Sequence, residues 1–274
     1  MVHFKKIVKK FCPPIIKEMI VNRRNKFGYF GDFASWEDAK NASEGYDKKI
    51  ILDKVEESTR KVKTGRAVYE RDSVVFDKVE YSWPLIACLL WIGAKENKLH
   101  LIDFGGSLGS TYFQSVFFLK HLREIKWSIV EQEHFVKVGQ TYFENEHVRF
   151  YRDLDVCLQE NIVETIIFSS VLQYLENPYH MLQRVKDQKF RFIIIDRTLF
   201  LSNDTNDTSD RITIQKVPPH IYNASYPCRF FDENKFLNFF IPEYKLISDF
   251  DALGGMVDEH GIKGKNKGYL FELI

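Results

Sequence analysis

The chain has 274 residues, enough to bury a full core as one large domain or as one domain with an appendage. Its 39 basic and 38 acidic side chains leave a formal charge of +1, which removes the bulk electrostatic case for a protein that coats nucleic acid. Cys12, Cys88, Cys157 and Cys228 are scattered, with no C-x-x-C pair and no Cys/His cluster at zinc spacing, and so predict a reduced, cytosolic chain without a structural metal.

The first segment, MVHFKKIVKKFCPPIIKEMI, is basic, but lysines interrupt its apolar residues, Pro13-Pro14 breaks it, and no small-residue cleavage site follows. Export by a signal peptide is therefore not expected. Phe4, Ile7, Val8 and Phe11 share one helical face, with Lys5, Lys6, Lys9 and Lys10 largely on the other. Two readings are open: a short helix making peripheral contact with the inner face of a membrane, or a helix packed on the body of the protein with a solvated lysine face. No apolar run approaches the roughly 20 residues of a membrane-spanning helix.

Residues 1–84 carry no convincing strand pattern and predict a helical N-terminal extension or lid. The glycine- and aromatic-rich NKFGYFGDFASW should be an ordered loop. Ser35 and Asp38 resemble a capping box that opens a short helix around Trp36, and Asp47 precedes a helical stretch over 48–63 that stops at Gly65. Beyond Trp83-Pro84, LIACLLWIGA is apolar all round and predicts a buried helix.

From Leu99 onward strands and helices alternate. HLIDF, WSIVEQ, VRFY, TIIFSS and FRFIIIDR read as strands, and segments of helical periodicity separate them, which argues for a parallel sheet with helices on both faces. DENKFLNFF then predicts a helix beginning near Asp232, and YKLISDF and KGYLFELI two strands joined by a short glycine-rich connection, which must pair antiparallel. The second region, 85–274, thus forms one α/β domain with an insertion over about 197–231.

The sequence KLHLIDFGGSLGSTYFQS places Asp103, Gly105, Gly106, Ser107 and Gly109 between a strand and a helix. Glycines let a backbone approach a ligand closely, and a helix start supplies unpaired N–H groups for a carboxylate or phosphate. Nicotinamide-binding loops use the same device, so the glycines alone decide little.

Five parallel strands followed by an antiparallel hairpin resemble the Rossmann-like, seven-stranded fold of the class I S-adenosylmethionine (SAM) methyltransferases. That resemblance implies that Asp103 lies near the methionine part of SAM and helps fix its ammonium, where a dinucleotide pyrophosphate would meet unfavourable charge. Glu131 ends the next strand, 28 positions on, and an ionised acid there accepts from both ribose hydroxyls. Gln132 follows it. Asp153, at the third strand end, either takes the adenine amino group or merely caps the following helix. Ser169 and Ser170 end the fourth strand and are counted with the cofactor residues; Ser169-Ser170-Val171 matches neither the carboxylates of metal-dependent O-methyltransferases nor the Asn/Asp-Pro-Pro-aromatic motif of DNA amino-group methyltransferases. A metal-free reaction, away from DNA bases, is expected.

GYFGDFASWEDAKNASEGYD, LIDFGGSLGSTYFQ, WSIVEQEHFVKVG, FSSVLQYLENPY and DRITIQKVPPHIYNASYPCRFF together resemble a family of SAM-dependent methyltransferases associated with bacterial lipopolysaccharide, O-antigen and capsule biosynthesis loci. The similarity runs from about Phe27 over nearly all of the chain. It implies cofactor roles for Asp103, Gly105, Gly109 and Glu131; Ser107 stands where the wider class often has glycine.

Methyl transfer to a hydroxyl asks the protein for position, desolvation and a base. The longest loop at the carboxyl ends of the strands runs from Asp196 to Phe231, about 35 residues, a length typical of lids. Its SNDTNDTSD part reads as mobile, and RITIQKV as a strand. His220 is the best base by residue type and Asp196 its rival, while Tyr222 and Tyr226 are placed to orient a hydroxyl. Against these stand a solvated loop histidine, a capping aspartate and packed tyrosines. Arg197, Arg211 and Arg229 suit an acidic or phosphate-bearing saccharide, the alternative being ordinary surface pairing. His134 and His180 read as structural. The expected activity is O-methylation of a cell-surface saccharide or its precursor in the cytoplasm, without nucleic acid; a non-catalytic scaffolding subunit and an N-methyltransferase of an amino sugar are the alternatives.

Overall fold

In the computed structural model, which describes residues 26–45, 48–63, 69–71, 74–76, 78–202 and 209–274, the glycine-rich segment expected to be a loop forms a strand, β1 (Gly28–Phe33). Ser35 then caps α1 (Trp36–Asn41), its Oγ accepting from the Asp38 N–H at 3.1 Å. α2 (Lys48–Lys63) follows as expected, and β2 (Tyr69–Arg71) pairs antiparallel with β3 (Val74–Phe76). The extension is therefore not free of strands. The basic segment around Phe4–Phe11, Cys12, the Asp47 cap, the Gly65 stop and 203–208 lie outside the described residues.

The apolar run becomes α3 (Trp83–Glu96), with Pro84 in its first turn, where a missing N–H costs nothing, and left-handed Asn97 at its end. Leu85, Cys88, Leu89 and Ile92 are buried, but Leu90 and Trp91 are exposed, so the helix is not covered all round. Strands and helices then alternate: β4 (Leu99–Phe104), α4 (Ser110–Leu119), β5 (Ile125–Val130), α5 (Glu133–Tyr142), β6 (Val148–Tyr151), α6 (Leu154–Glu160) and β7 (Thr165–Ser169). A 3-10 turn over Leu172–Tyr174 leads to α7 (Pro178–Asp187), β8 (Phe192–Leu201), β9 (Arg211–Val217), β10 (Ala224–Phe230), α8 (Glu233–Phe240), β11 (Tyr244–Glu259) and β12 (Ile262–Leu273).

The main sheet runs β6-β5-β4-β7-β8-β12-β11. β4 to β8 are mutually parallel and β12 is antiparallel to both its neighbours, the seven-stranded Rossmann-like methyltransferase arrangement. Because side chains alternate across a strand, Leu101, Ile129, Ile167 and Ile194 pack one core, while Ile102, Ile166, Phe168 and Ile195 pack the other. Burial on both faces is why these strands read as apolar runs. The chain leaves β4 towards β5 on one side and returns to β7 on the other, so the carboxyl ends of β4 and β7 flank a topological switch point, where open α/β sheets bind ligands.

Two expectations about the second half need correction. The hairpin strands are longer than YKLISDF and KGYLFELI, and the turn is at His260–Gly261. Gly254 and Gly255 instead serve a break in register between Asp251 and Met256. Nor does a loop begin at Asp196. β8 continues through Leu201, with Ile195 opposite Tyr269 and Thr198 opposite Lys267, so Asp196 and Arg197 bulge against the single residue Gly268. A Cβ on Gly268 would lie 2.8 Å from the Ile195 carbonyl oxygen. RITIQKV is a strand as expected, β9, in an antiparallel sheet of order β1-β9-β10.

Candidate active site

The turn after β4 winds through left-handed backbone at Gly105 (φ 72°), Ser107 (φ 54°) and Gly109 (φ 92°). A Cβ on Gly106 would stand 2.6 Å from the Asp103 carboxyl carbon, so that position is glycine because the acid lies directly beneath it. Ser107 adopts its left-handed conformation without being glycine, at a cost of about 1 kcal/mol. Gly109 opens α4 with no side-chain cap on the first-turn N–H groups.

Asp103 is buried, and its Oδ2 accepts from Trp127 Nε1 at 3.1 Å. Its Oδ1 finds no hydrogen-bond donor among the described residues. Burial pushes the carboxyl up to about 7; the indole opposes the shift, Glu131 adds to it, Arg197 opposes it and Asp196 adds to it. Glu131 accepts from the Gln132 N–H at 2.6 Å and from the Ser107 N–H, so the glycine turn and the next strand end are tied together. Burial raises the Glu131 carboxyl above its ordinary value, against those two N–H groups. Asp153 caps α6, its Oδ1 accepting from the Val156 N–H at 2.8 Å, and its side chain is half exposed.

Beside this turn opens a cavity of about 820 Å³, its mouth to solvent included. Gly105, Gly106 and Ser107 form one wall, Ser110, Thr111 and Gln114 of α4 another, and Ser169, Ser170, Asp196 and Arg197 a third. Val55, Ser82 and Leu253 close it from α2, the start of α3 and the register break in β11. Asp196 is buried; its Oδ2 accepts from Ser169 Oγ at 2.7 Å and lies 3.8 Å from Arg197 Nε, which in turn donates to Ser169 Oγ at 3.3 Å. Ser170 (φ 57°) donates its N–H to the Asp196 carbonyl at 3.0 Å. Gln173, buried in the 3-10 turn, donates from Nε2 to Ser170 Oγ (3.3 Å) and to the Arg197 carbonyl (3.2 Å). Ser107, Ser170 and Arg197 (φ 48°), three of the six non-glycine residues with positive φ among those described, all line this cavity. Backbone strain of this kind clusters at functional sites.

The other residues singled out in the sequence are spread more widely. His220 is exposed in the turn between β9 and β10 and does not line the cavity. Tyr222 and Tyr226 bring their hydroxyls to 3.3 Å, and Tyr226 meets Tyr174 edge-on at 5.4 Å. Burial pushes the Tyr226 hydroxyl far above its ordinary value, so it is a neutral phenol there. Arg211 faces Asp32 at 3.5 Å; Arg229 donates to the Glu176 carbonyl at 3.1 Å and covers the Trp36 ring. Of the three arginines Arg197 alone reaches the cavity. His134 packs beside Phe135 and His180 is exposed; neither lines it. Among the described residues no group of three His, Cys, Asp or Glu is placed to hold a metal ion. Sequence reasoning missed Trp127, Gln173, Ser82 and Gln114. Only Gln173 left a trace, as a polar residue inside the apolar VLQYL.

No family model matches the chain, and no curated protein does. Similar solved structures include the N-terminal domain of EvdMO1 in the presence of SAH (S-adenosylhomocysteine) and D-fucose, at 11% identity over 84% of this chain and 98% of that one, with TM-score 0.49. They also include magnesium protoporphyrin IX methyltransferase from Synechocystis with bound SAM (13% identity, 84% and 99% covered, TM-score 0.44). A third is a Burkholderia thailandensis 1,6-didemethyltoxoflavin-N1-methyltransferase (11% identity, 90% and 93% covered, TM-score 0.40). At such identities and TM-scores these likenesses settle neither substrate nor chemistry.

Proposed function

We propose that the chain is a SAM-dependent methyltransferase that methylates a hydroxyl of a saccharide or saccharide precursor of the cell surface. The observation that carries the cofactor is Asp103: a buried carboxyl under a glycine turn, at the switch point of the sheet, with one oxygen held by Trp127 and the other lacking a donor. A buried acid in that state suits a cationic ligand group such as the ammonium of SAM. Glu131, held by the Ser107 and Gln132 N–H groups, keeps acceptor capacity for two ribose hydroxyls. Asp153 is a helix cap first, and any adenine contact falls to its remaining oxygen.

When bound, SAM supplies a methyl group already activated on a sulfonium, so the protein must position the acceptor, exclude water and take a proton. Asp196 lines the cavity and is fixed by Ser169 Oγ and by the bulge, which makes it the residue to take the hydroxyl proton. Arg197, its Nε 3.8 Å from Asp196 Oδ2, provides an anchor for an anionic group on the acceptor. His220 is the alternative base; it would need the β9–β10 turn to move over the cavity. Eight residues lining this cavity carry a hydroxyl or amide, among them Ser82, Thr111, Gln114 and Ser169, which supports a polyhydroxyl acceptor. SAM is a cytosolic metabolite, so we place the protein there; among the described residues no helix is long and apolar enough to cross a membrane.

The test is transfer of labelled methyl from SAM to saccharide fractions of the cell envelope. Label in a saccharide fraction, lost in Asp196→Asn, is expected; label only in protein, nucleic acid or small metabolites would sink the reading.

A further inference from the structure

Beside Ser82 and Gln114, which line the cavity, the chain carries four aromatic rings, Tyr81, Trp83, Phe117 and Phe118. Tyr81 and Trp83 are 5.1 Å apart, Phe118 is 5.1 Å from Tyr81 and 5.3 Å from Trp83, and Phe117 is 5.3 Å from Phe118. None of them belongs to a core cluster among the described residues. Trp83 is 57% and Phe117 63% exposed.

Two local structures join these rings to the cavity. The Trp83 N–H donates to the Tyr81 carbonyl at 2.9 Å, and Ser82 between them has φ −75° and ψ 79°, an inverse γ-turn. The turn sets both rings outside and Ser82 on the cavity wall, where its buried Oγ has no hydrogen-bond partner among the described residues. On α4, Gln114 lines the cavity, and Phe117 and Phe118 follow it three and four residues on, on the same helical face. The polar wall of the cavity thus runs outward along α4 into an aromatic rim, roughly 10 Å from Ser110 at 1.5 Å per residue.

We propose that this rim is a saccharide subsite, on which a sugar ring of the acceptor remote from the methylated hydroxyl stacks against Trp83 and Phe117 while its hydroxyls meet Ser82 and Gln114. The inference rests on the cavity being the acceptor site of a methyltransferase. A pyranose has an apolar C–H face and a polar edge, and the rim offers ring faces beside a hydroxyl and an amide, with Lys120 Nζ 4.4 Å over one face of the Phe117 ring. A lipid chain would instead favour a continuous apolar groove. Because binding energy from a remote unit can be used at the reacting centre, acceptors of two or more sugar units should be preferred over single sugars.

The experiment uses the whole chain saturated with SAH on an array of bacterial surface oligosaccharides and free monosaccharides. Binding to oligosaccharides is expected, weakened at least tenfold in Trp83→Ala and in Phe117→Ala, largely kept in Trp83→Phe, with SAH affinity within twofold of wild type. No oligosaccharide bound by the wild type, or binding that both alanine variants retain, overturns the subsite. Ring-dependent binding to anionic phosphatidylglycerol vesicles without saccharide binding overturns it too, in favour of a membrane contact. SAH titration of the wild type separates the two readings: failure there defeats the cofactor site, whereas normal SAH binding with no saccharide defeats the rim alone.

Discussion

Trp127 on β5 donates its indole N–H to Asp103 on β4 across 3.1 Å, and in doing so leaves the other carboxyl oxygen pointing at no donor among the described residues. The pair is built by the sheet: Trp127 is the register partner of Leu101, two residues before the acid. One buried hydrogen bond fixes the acid and leaves its second oxygen without a donor among the described residues. With a carboxyl raised to about 7 from an ordinary value near 3.8, the folded protein prefers the neutral acid. The sign follows: without cofactor, stability is fully kept below about pH 4 as far as this group is concerned and is lost as pH rises towards and past 7. Asp103→Asn should therefore remove part of the fall in unfolding free energy between pH 5 and pH 8, on the order of 2–4 kcal/mol at the upper end, read from denaturant or thermal melts at each pH. Equal pH slopes in the two proteins would show that Asp103 is not the strained group.

Gly106 is where the turn and the acid press together. Gly106→Ala adds a Cβ 2.6 Å from the Asp103 carboxyl carbon and must displace one or the other. SAH affinity should drop at least tenfold with the circular dichroism spectrum unchanged. A variant that binds SAH like the wild type would mean that the turn does not contact the ligand.

The base is separable from the cofactor site. Asp196→Asn keeps an acceptor for Ser169 Oγ but removes the proton-taking group, so turnover should fall by roughly 10²–10⁴ with SAH affinity within threefold. His220→Ala, exposed and away from the cavity wall, should keep most of the activity. The reverse pattern in single-turnover rates would assign the base to His220.

The bulge in β8 should be sensitive to its facing residue. Gly268→Val would drive a side chain into the Ile195 carbonyl and the Phe250 ring, and should cost about 2 kcal/mol or more while loosening the placement of Asp196 and Arg197. Thermal melts and labelled-methyl transfer read the two effects; unchanged values in both would mean that the bulge is not held by Gly268.

Much of this architecture was legible in the sequence. The parallel strands declared themselves because burial on both faces makes them apolar, and the caps at Ser35 and Asp232 because a side-chain oxygen there answers a backbone N–H three residues on. The glycine turn, Asp103 and Glu131 were legible as a spacing. What stayed hidden depends on register between distant segments. The bulge at Asp196–Arg197 exists only because β12 pairs with β8 with one residue fewer, and nothing local to DRTLF shows it. β1 became a strand because Arg211–Val217, about 180 residues later, supplies its partner, overriding its glycines. Trp127, buried in the core, reads from sequence as packing alone until the sheet sets its nitrogen beside Asp103. The three arginines look alike in sequence, yet the fold gives them different partners: Asp32 for Arg211, the Glu176 carbonyl for Arg229, and Asp196 with Ser169 Oγ for Arg197.

The most direct test of the central claim is calorimetric titration of the purified protein with SAH, beside Asp103→Asn and Glu131→Ala. The account predicts micromolar binding by the wild type, reduced at least tenfold in each variant. It also predicts proton release on binding at pH 6 that vanishes at pH 8 and in Asp103→Asn, since the ammonium of the ligand selects the ionised acid. No binding by the wild type, or equal binding in all three proteins, would contradict it.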